Sequence, residues 1–316
     1  MAESSGYLNP EVLAGISRLD LRAKLIVEGT IAGLHRSPLH GLSVEFAGNR
    51  EYAPGDDLKR LDWRVYARSD RYTIREYEEE SNLRATILFD ASASMAYAGR
   101  NPGAHWGGMS KFDYAATLAA SLASLLLRQR DAVGLVTFDR RHRTLLRPAA
   151  TQSQLARIIE VLEDTKPDRT TELGDVILRM SDQIKRRGII IVISDLLTDL
   201  DRFYQGLGKL QHQGQEVMIF HLLDRDELDL PFDGSVIFRD LEGTDEIFAE
   251  PKFFKQAYQR AISAFCTDVA QRCQSAGMDY LLLATDGDLG RALRHYLRKR
   301  QSMRGRSATT RIFGVR

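Results

Sequence analysis

The chain is poor in cysteine, with only Cys266 and Cys273 among its 316 residues. Both fall in one helical pattern, seven residues apart, so about 10 Å of helix rise would separate their Cα atoms. That separation is too large for a disulfide, and we expect two buried thiols. The seven histidines form no H-x-x-x-H pattern and the cysteines no C-x-x-C pattern, which argues against a zinc site.

Long apolar runs are also missing. No segment approaches the roughly 20 apolar residues that span a bilayer, and Met1–Asn9 is polar and lacks the apolar core of a signal peptide. We therefore expect no membrane span and a cytoplasmic location. The net charge is only +1, so no global field attracts nucleic acid, and we expect no nucleic-acid partner.

The common phosphate-binding motifs are absent as well. Gly103 and Gly108 have the spacing of a P-loop, but Met109 follows where the motif needs lysine, and no G-x-G-x-x-G follows a strand. With 43% hydrophobic and 28% charged residues, the composition is typical of a globular protein large enough for one large core or two modest domains.

Strand and helix patterns alternate from Ala85 onward, and runs such as Gly188–Ser194 are almost entirely β-branched, as in parallel strands buried on both faces. This order predicts an α/β fold with a doubly wound, mostly parallel sheet. We divide the chain into an N-terminal helix and small β subdomain (1–84), a main domain (85–300) and a basic tail (301–316) that we expect to be flexible. The predicted strands of the main domain are Ala85–Phe89, Ala132–Phe138, Arg143–Arg147 (an antiparallel edge strand), Gly188–Ser194, Glu216–Leu222, Ser235–Phe238 and Tyr280–Ala284.

The end of the first of these strands is the most informative segment. Asp90, Ser92 and Ser94 follow the apolar run at alternate positions. Such oxygen ligands suit a hard cation: Mg²⁺, Mn²⁺ or Ca²⁺. Serine and aspartate also cap helices, but the next predicted helix begins about twenty residues later, so capping explains these side chains poorly. We interpret the turn as part of a metal site.

Two later loops should reach the same edge of the sheet, because ligands bind at the carboxyl ends of parallel strands. One carries Thr170 and Thr171 just before a helix, and the other carries Asp195 after the central strand. Mg²⁺ keeps several waters, so a position would stay open for an Asp or Glu of a protein partner. The predicted ligands of the Mg²⁺ (or Mn²⁺ or Ca²⁺) ion are Asp90, Ser92, Ser94, Thr171 and Asp195, with Thr170 as the alternative to Thr171.

This arrangement resembles a known pattern. D-x-S-x-S after a first strand, T-x-x-G before a helix and an aspartate after a central strand are similar to the metal-ion-dependent adhesion site of von Willebrand factor A domains. We prefer Thr171 because it stands three residues before Gly174, as in that pattern. The stretch from Glu45 to Trp63, followed by Ala67-Arg68, resembles the signature of the DUF58 family.

The resemblance extends over nearly the whole chain and implies a von Willebrand factor A-like, Rossmann-type fold. It also implies a non-enzymatic adaptor, chaperone-like or assembly role alongside a AAA+ ATPase of the MoxR class. Many members of the family begin with two membrane-spanning helices, a pattern that this sequence does not show.

Two other functions stay open. The metal could merely pin three loops of a structural scaffold. A Mg²⁺-dependent phosphatase or hydrolase of the haloacid dehalogenase type would need a second aspartate where Ser92 stands and a lysine after a later strand, and we find neither, so no group is placed to move protons. Within Pro54–Trp63, the acidic residues Asp56, Asp57 and Asp62 are interpreted as fixing a turn, with a partner-binding surface as the alternative.

Overall fold

The structure is a computed structural model, and three of the regions discussed above lie outside the residues that it describes: Thr171, the stretch 54–63 and the tail 301–316. The described residues are 18–35, 49–51, 66, 72–75, 83–99, 109–139, 142–168, 170 and 172–299. No helix among them is long and apolar enough to cross a membrane.

Strands and helices alternate along the main part of the chain. The strands are β1 (Asn49–Glu51), β2 (Thr73–Arg75), β3 (Arg84–Asp90), β4 (Ala132–Phe138), β5 (His142–Ala149), β6 (Ile189–Ser194), β7 (Glu216–Leu223), β8 (Val236–Arg239), β9 (Glu246–Ala249) and β10 (Asp279–Ala284). The helices are α1 (Leu19–His35), α2 (Lys111–Arg128), α3 (Gln152–Asp164), α4 (Leu173–Gln183), α5 (Leu200–His212), α6 (Arg225–Asp229), α7 (Lys255–Ser275) and α8 (289–299).

Six strands form the central sheet, in the order β10-β7-β6-β3-β4-β5. All neighbours are parallel except β5, which runs antiparallel to β4 at one edge. The predicted α/β fold with a mostly parallel sheet is therefore confirmed, as is the antiparallel edge strand. The chain lays down β4 and β5 on one side of β3 and then returns to its other side with β6. The carboxyl ends of β3 and β6 thus flank the point where ligands bind in sheets of this kind.

Helices cover both faces of this sheet. In β3, Ile87 and Phe89 join the core under α1, α2, α3 and α8, whereas Leu88 joins the core under α4, α5 and α7. All six residues of β6 are buried, as expected for a strand covered on both faces. The two cores therefore pack against opposite faces of β3 and β6.

The N-terminal helix α1 shares the first of these cores. Leu19, Ala23, Ile26 and Val27 are buried together with residues of α2. Because α2 is therefore covered by the sheet on one side and by α1 on the other, most of its small and apolar side chains are buried.

The segment predicted as strand 235–238 does not join the central sheet. It forms β8, which pairs antiparallel with β9 in a separate hairpin. The hairpin is largely exposed: Ile237, Ile247 and Phe248 have relative exposures of 55%, 64% and 72%. Short apolar runs do not by themselves distinguish a central strand from an excursion, because both contain β-branched and aromatic residues.

The expectation of two buried thiols holds for only one cysteine. Cys273 is buried, but Cys266 is half-buried. Both are free. Helix α7 buries only Val269 and Cys273, because only a narrow stripe of its surface faces the sheet.

Candidate functional site

Asp90, the last residue of β3, is a fully buried carboxylate. Its Oδ1 accepts a hydrogen bond from the Ser92 amide (2.9 Å), and its Oδ2 accepts one from the Ser194 hydroxyl (2.5 Å). Among the described residues, no basic side chain contacts it. Burial, followed by the charge of nearby Asp195, raises the pKa of Asp90 to about 7. An uncompensated buried carboxylate is costly, so Asp90 is set up to take a proton or a cation.

Ser92 and Ser94 turn inward directly after Asp90. A short 3-10 helix spans Ala93–Ala96, so a helix begins much sooner than the sequence indicated. Ser92 stands at its N-cap but makes no capping hydrogen bond with its side chain. Its hydroxyl instead lies 3.0 Å from the Ser94 hydroxyl, and both are buried. The expectation about helix distance was wrong, yet capping still does not explain these two side chains.

Arg143 of β5 positions the loop that precedes α4. Its guanidinium donates hydrogen bonds to the carbonyl oxygens of Lys166 (2.5 Å) and Asp168 (2.9 Å). The Asp168 amide in turn donates to the Ala91 carbonyl at 3.0 Å. The second predicted loop is therefore tied to the residue that follows Asp90.

Thr170 of this loop lines a cleft next to Ser94, whereas Thr171, the preferred ligand, lies outside the described residues. The glycine of the T-x-x-G pattern has a packing role. A Cβ atom on Gly174 would lie 2.7 Å from the backbone of Arg202 and Phe203, so glycine lets the start of α4 approach the start of α5 closely.

Asp195 follows β6 and is also fully buried. Its Oδ2 lies 2.8 Å from the Lys111 ammonium, and its Oδ1 accepts a hydrogen bond from the Leu197 amide (3.2 Å). Burial alone would raise the pKa of Asp195, but Lys111, aided by a hydrogen bond from Ser94, outweighs it and holds the pKa below its usual range. The two aspartates thus lie in contrasting environments: one paired and charged, the other uncompensated.

The backbone directly after Asp195 is strained. Leu196, directly after Asp195, has φ of +57° and is fully buried. Left-handed backbone is unusual for a leucine and recurs at functional sites. The Leu196 amide donates to the Ser194 hydroxyl at 3.0 Å, which lets Ser194 link this turn to Asp90.

Lys111 was not anticipated by the sequence reasoning, which sought a lysine after a strand. It is the first residue of α2 and is completely buried, with its ammonium 2.8 Å from Asp195 and 2.7 Å from Glu227. Burial alone would lower the pKa of Lys111, but these two carboxylates hold it above its usual range, so the side chain stays charged. One signal was present: Lys111 falls at helical spacing on the same face as Ala115 and Leu118.

A fourth loop, after β7, completes the surroundings of Lys111. Asp224 and Glu227 form a capping box at the start of α6, in which Glu227 accepts a hydrogen bond from the Asp224 amide at 2.6 Å. Asp226 accepts one from the Tyr97 hydroxyl at 3.0 Å and so connects this loop to the Asp90 loop. The sequence reasoning missed this loop because its carboxylates have the spacing of an ordinary helix cap.

His221 of β7 fixes the main chain of Asp195. Its Nε2 lies 2.9 Å from the Asp195 carbonyl oxygen, and its Nδ1 lies 2.7 Å from the Tyr280 hydroxyl. Burial lowers the pKa of His221 to about 4, so the ring is neutral. Nε2 must then donate to the carbonyl, and Nδ1 must accept from Tyr280.

The donor set fits a hard cation. Asp90, Asp195 and Glu227 against the one ammonium of Lys111 leave two net negative charges when all are ionised. The groups that face one another across the loops are oxygen donors, which Mg²⁺ and Ca²⁺ prefer. No group of three or more His, Cys, Asp or Glu that could hold a metal is found in the described part of the chain; the predicted site has only two carboxylates and depends on hydroxyl ligands.

An adjoining cleft of about 710 Å³ begins at Ser94 and Thr170. Its walls are mainly apolar, and the β8–β9 hairpin forms its far side. Phe253, just beyond the hairpin, is 79% exposed. The apolar residues that line the cleft include Leu197, Leu230, Phe232, Val236, Ile237 and Phe238.

Relatives with similar sequences have no described function. An uncharacterized protein of Mycobacterium bovis and another of Mycobacterium tuberculosis are each 27% identical to this chain over 285 residues, 89% of this chain and 87% of theirs.

Two solved structures resemble the fold. BatB from Bacteroides thetaiotaomicron, described as a conserved hypothetical protein, is 17% identical with a TM-score of 0.45, covering 69% of this chain and 98% of that chain. An aerotolerance-related membrane protein from Bacteroides fragilis is 19% identical with a TM-score of 0.46, covering 69% and 99%.

A family model matches most of the chain. Residues 48–265 match the model described as "Protein of unknown function DUF58", and this range includes β3 through β9 and nearly all of the signature stretch at 45–63. It also includes Asp90, Asp195 and Lys111. The resemblance seen in the sequence is confirmed in this respect: the chain belongs to the DUF58 family.

Proposed function

We propose that this protein is a non-enzymatic binding module of the von Willebrand factor A type, in which a divalent cation at the Asp90 loop recruits a carboxylate from a protein partner. One observation carries the proposal. Asp90 is fully buried with two hydrogen-bond donors and no cationic partner among the described residues, while Asp195 beside it is paired with Lys111. A cation would remove the cost of leaving Asp90 charged.

The predicted ligands have two different roles. Asp90, Ser92, Ser94 and one of the two threonines would hold the cation, and Asp195 would act at least partly through water because Lys111 occupies its Oδ2. When bound, Mg²⁺ supplies an electrophilic position that an Asp or Glu of another molecule fills. Since Lys111 offsets Asp195, Asp90 is the one carboxylate among the predicted ligands that lacks a cation in the described part of the chain, so a bound Mg²⁺ would keep positive charge for an outside carboxylate.

Neither the histidine nor the lysine near Asp90 is free to transfer protons, which supports binding over turnover. His221 is neutral, and both of its ring nitrogens are engaged. Lys111 is buried and ion-paired. An acid or base must reach the reacting group, and neither residue is exposed to a substrate.

Phosphatase chemistry is the second candidate, because the structure brings an unforeseen lysine to the site. A phosphate-steadying lysine would have to meet the substrate beside Asp90, whereas the Lys111 ammonium contacts Asp195 and Glu227. Assay of the Mg²⁺-loaded protein with an aryl phosphate decides the matter: turnover that is lost in Asp90→Asn would replace the binding proposal.

The apolar cleft supports a protein as the partner. It opens at Ser94, so a chain segment whose Asp or Glu reaches the cation would lay neighbouring apolar side chains against Leu230, Phe232 and Phe238. The family resemblance supports a AAA+ ATPase of the MoxR class as that partner, with this protein as its adaptor or assembly factor.

Calorimetric titration with Mg²⁺ tests the first step. We expect one ion per chain for the wild type and none for Asp90→Ala or Ser94→Ala. Asp201→Ala is the matched control, since that carboxylate is 94% exposed, and it should bind like the wild type. Equal Mg²⁺ binding by Asp90→Ala would overturn the metal assignment.

Affinity capture from native lysate tests the second step. The wild type should retain a partner in Mg²⁺ and release it in chelator, and Asp90→Ala should retain none. Large thermal stabilisation by Mg²⁺ with no Mg²⁺-dependent partner would instead favour the structural scaffold, because a ligand of the folded state alone raises stability.

A further inference from the structure

A second cleft, of about 730 Å³, lies at the opposite edge of the central sheet. Arg84 lines it and is the first residue of β3, whereas Asp90 is the last. At about 3.3 Å per residue the two ends of this strand are roughly 20 Å apart. The proposed metal-dependent binding therefore makes no use of this cleft.

Four cationic side chains line it. Arg84 comes from β3, Arg147 from β5, and Lys185 and Arg186 from the connection between α4 and β6. Within the described ranges, no Asp or Glu lines the cleft, and none of the four cations forms an ion pair. The chain as a whole has a net charge of only +1, so this edge concentrates uncompensated positive charge.

Several other cations in the described part of the protein are paired. Arg143, Arg202, Lys209 and Arg272 each have a carboxylate within 2.9 Å. The four cations of the second cleft have no carboxylate partner among the described residues, so they are available to an anionic ligand. Arginine pairs with phosphate through two parallel N–H donors, which makes phosphate the anion that suits it best.

Gln215 is an independent indication of a ligand. It is 4% exposed and lines the cleft, and its Nε2 donates to the Arg186 carbonyl oxygen at 2.8 Å. Its Oε1 has no hydrogen-bond partner. The carbonyl acceptor fixes which end is the amide nitrogen, so the unpaired atom is an acceptor that a ligand O–H or N–H would satisfy.

The remaining lining is mainly apolar. Leu145, Pro148, Met180 and Ile184 form most of it, beside the polar Thr86 and Gln183. The volume falls within the range of roughly 300–1,000 Å³ that is typical of small-molecule sites. A bare inorganic anion would leave these apolar walls and the Gln215 acceptor without a partner.

We propose that this cleft binds a small organic phosphate. The phosphate lies against the arginines, the organic body covers the apolar wall, and a hydroxyl or amine of the ligand donates to Gln215 Oε1. A nucleoside diphosphate has all three features and serves as the probe.

Calorimetry with the full-length protein in excess chelator tests this proposal with ADP, pyrophosphate and adenosine as probes. ADP should bind more tightly than either fragment. Replacing Arg147 or Arg186 by glutamine should lower the affinity for ADP by about tenfold or more, as expected for the loss of a charged hydrogen bond. Gln215→Leu should lower the affinity for ADP but leave the affinity for pyrophosphate unchanged.

Two variants serve as controls. Arg157→Gln removes an exposed arginine of α3 that does not line the cleft, and Asp90→Ala disables the proposed metal site. Both should bind ADP like the wild type, so failure of the metal proposal would leave this one standing. Circular dichroism and thermal unfolding establish that each variant is folded.

The sequence has three glutamates, Glu78 to Glu80, shortly before Arg84, and carboxylates compete with phosphate for an arginine. A variant with glutamine at all three positions is therefore measured in parallel. The proposal is overturned if ADP binds neither this variant nor the wild type. It is also overturned if pyrophosphate binds as tightly as ADP and Gln215→Leu changes neither affinity, or if only a polyanion such as heparin binds.

Discussion

The Lys111 ammonium lies 2.8 Å from the Asp195 carboxylate, and neither side chain is exposed to solvent. The pair ties the start of α2 to the end of β6 at the edge of the sheet where the parallel strands end. It also explains why two neighbouring aspartates behave differently: the chain supplies its own cation to Asp195 and, in its described part, none to Asp90.

Removing the ammonium should destabilise the protein strongly. Lys111→Met keeps most of the volume but leaves the buried Asp195 and the half-buried Glu227 without their cation. Breaking a buried ion pair in this way typically costs about 3–5 kcal/mol in the free energy of unfolding. Urea denaturation in chelator measures the loss. Lys209→Met is the matched control, because its pair with Asp182 has the same 2.8 Å distance at the surface and should contribute less than about 1 kcal/mol. Equal losses for the two variants would contradict the prediction.

Asp90 should make the metal-free protein less stable as the pH rises. Its folded-state pKa of about 7 lies above its ordinary value of 3.8, so the folded state binds the proton more tightly. The stabilising contribution is fully present below pH 4 and is lost by pH 7, on the order of 4 kcal/mol. Asp90→Asn should lack this loss in chelator, and Mg²⁺ should stabilise the wild type more at pH 8 than at pH 5. A stabilisation by Mg²⁺ that is the same at both pH values would refute this.

His221 should make the protein more stable as the pH rises, which is opposite to the effect of Asp90 over part of the same pH range. Its pKa falls from 6.5 to about 4 on folding, so the unfolded chain binds the proton more tightly. The contribution of this group is present above pH 6.5 and is lost as the pH falls towards 4, by about 3 kcal/mol. The two effects offset each other in the wild type, so the test compares urea denaturation of Asp90→Asn and His221→Gln from pH 4.5 to 7. Stability should rise with pH in Asp90→Asn and fall in His221→Gln; slopes of the same sign would be incompatible with these assignments.

Gly174 should be intolerant of a side chain. Gly174→Ala would force apart the starts of α4 and α5, at a cost of about 1–3 kcal/mol, and should weaken Mg²⁺ binding by moving the threonine loop. Gly208 of α5 is the control, since a Cβ there would meet nothing within 4 Å. Gly208→Ala should stabilise the protein by about 0.5–1 kcal/mol, because alanine is the better helix former. Thermal unfolding and Mg²⁺ titration of both variants check these outcomes.

Much of the architecture could be predicted from residue patterns. Strand β4 has the predicted bounds, and β3, β6 and β10 differ by only one residue at one or both ends. Strands β3, β4 and β6 are almost entirely buried, so their apolar, β-branched composition reflects a requirement of the fold. The strand predicted at 235–238 is present as β8, but its residue types could not show that it pairs with β9 outside the central sheet.

The site was predicted in part. Asp90, Ser92, Ser94 and Asp195 lie around one point because each follows a strand of the parallel sheet at its carboxyl end, which the order of elements already implied. Thr170 lines the same cleft as Ser94, and the role of Thr171 stays a prediction. Lys111, Glu227 and His221 could not be found in this way, because their contacts join residues 26 to 116 positions apart in the chain.

The amino-acid sequence by itself determined the α/β fold and the oxygen-rich loops at one edge of the sheet, since hydrophobic periodicity and strand-end composition are local properties. The tertiary structure alone decided which of these oxygens are compensated. Whether a buried carboxylate stays charged depends on which cation the packing of distant elements brings within about 3 Å. In the described part of the chain, that packing pairs Lys111 with Asp195 and brings no cation to Asp90.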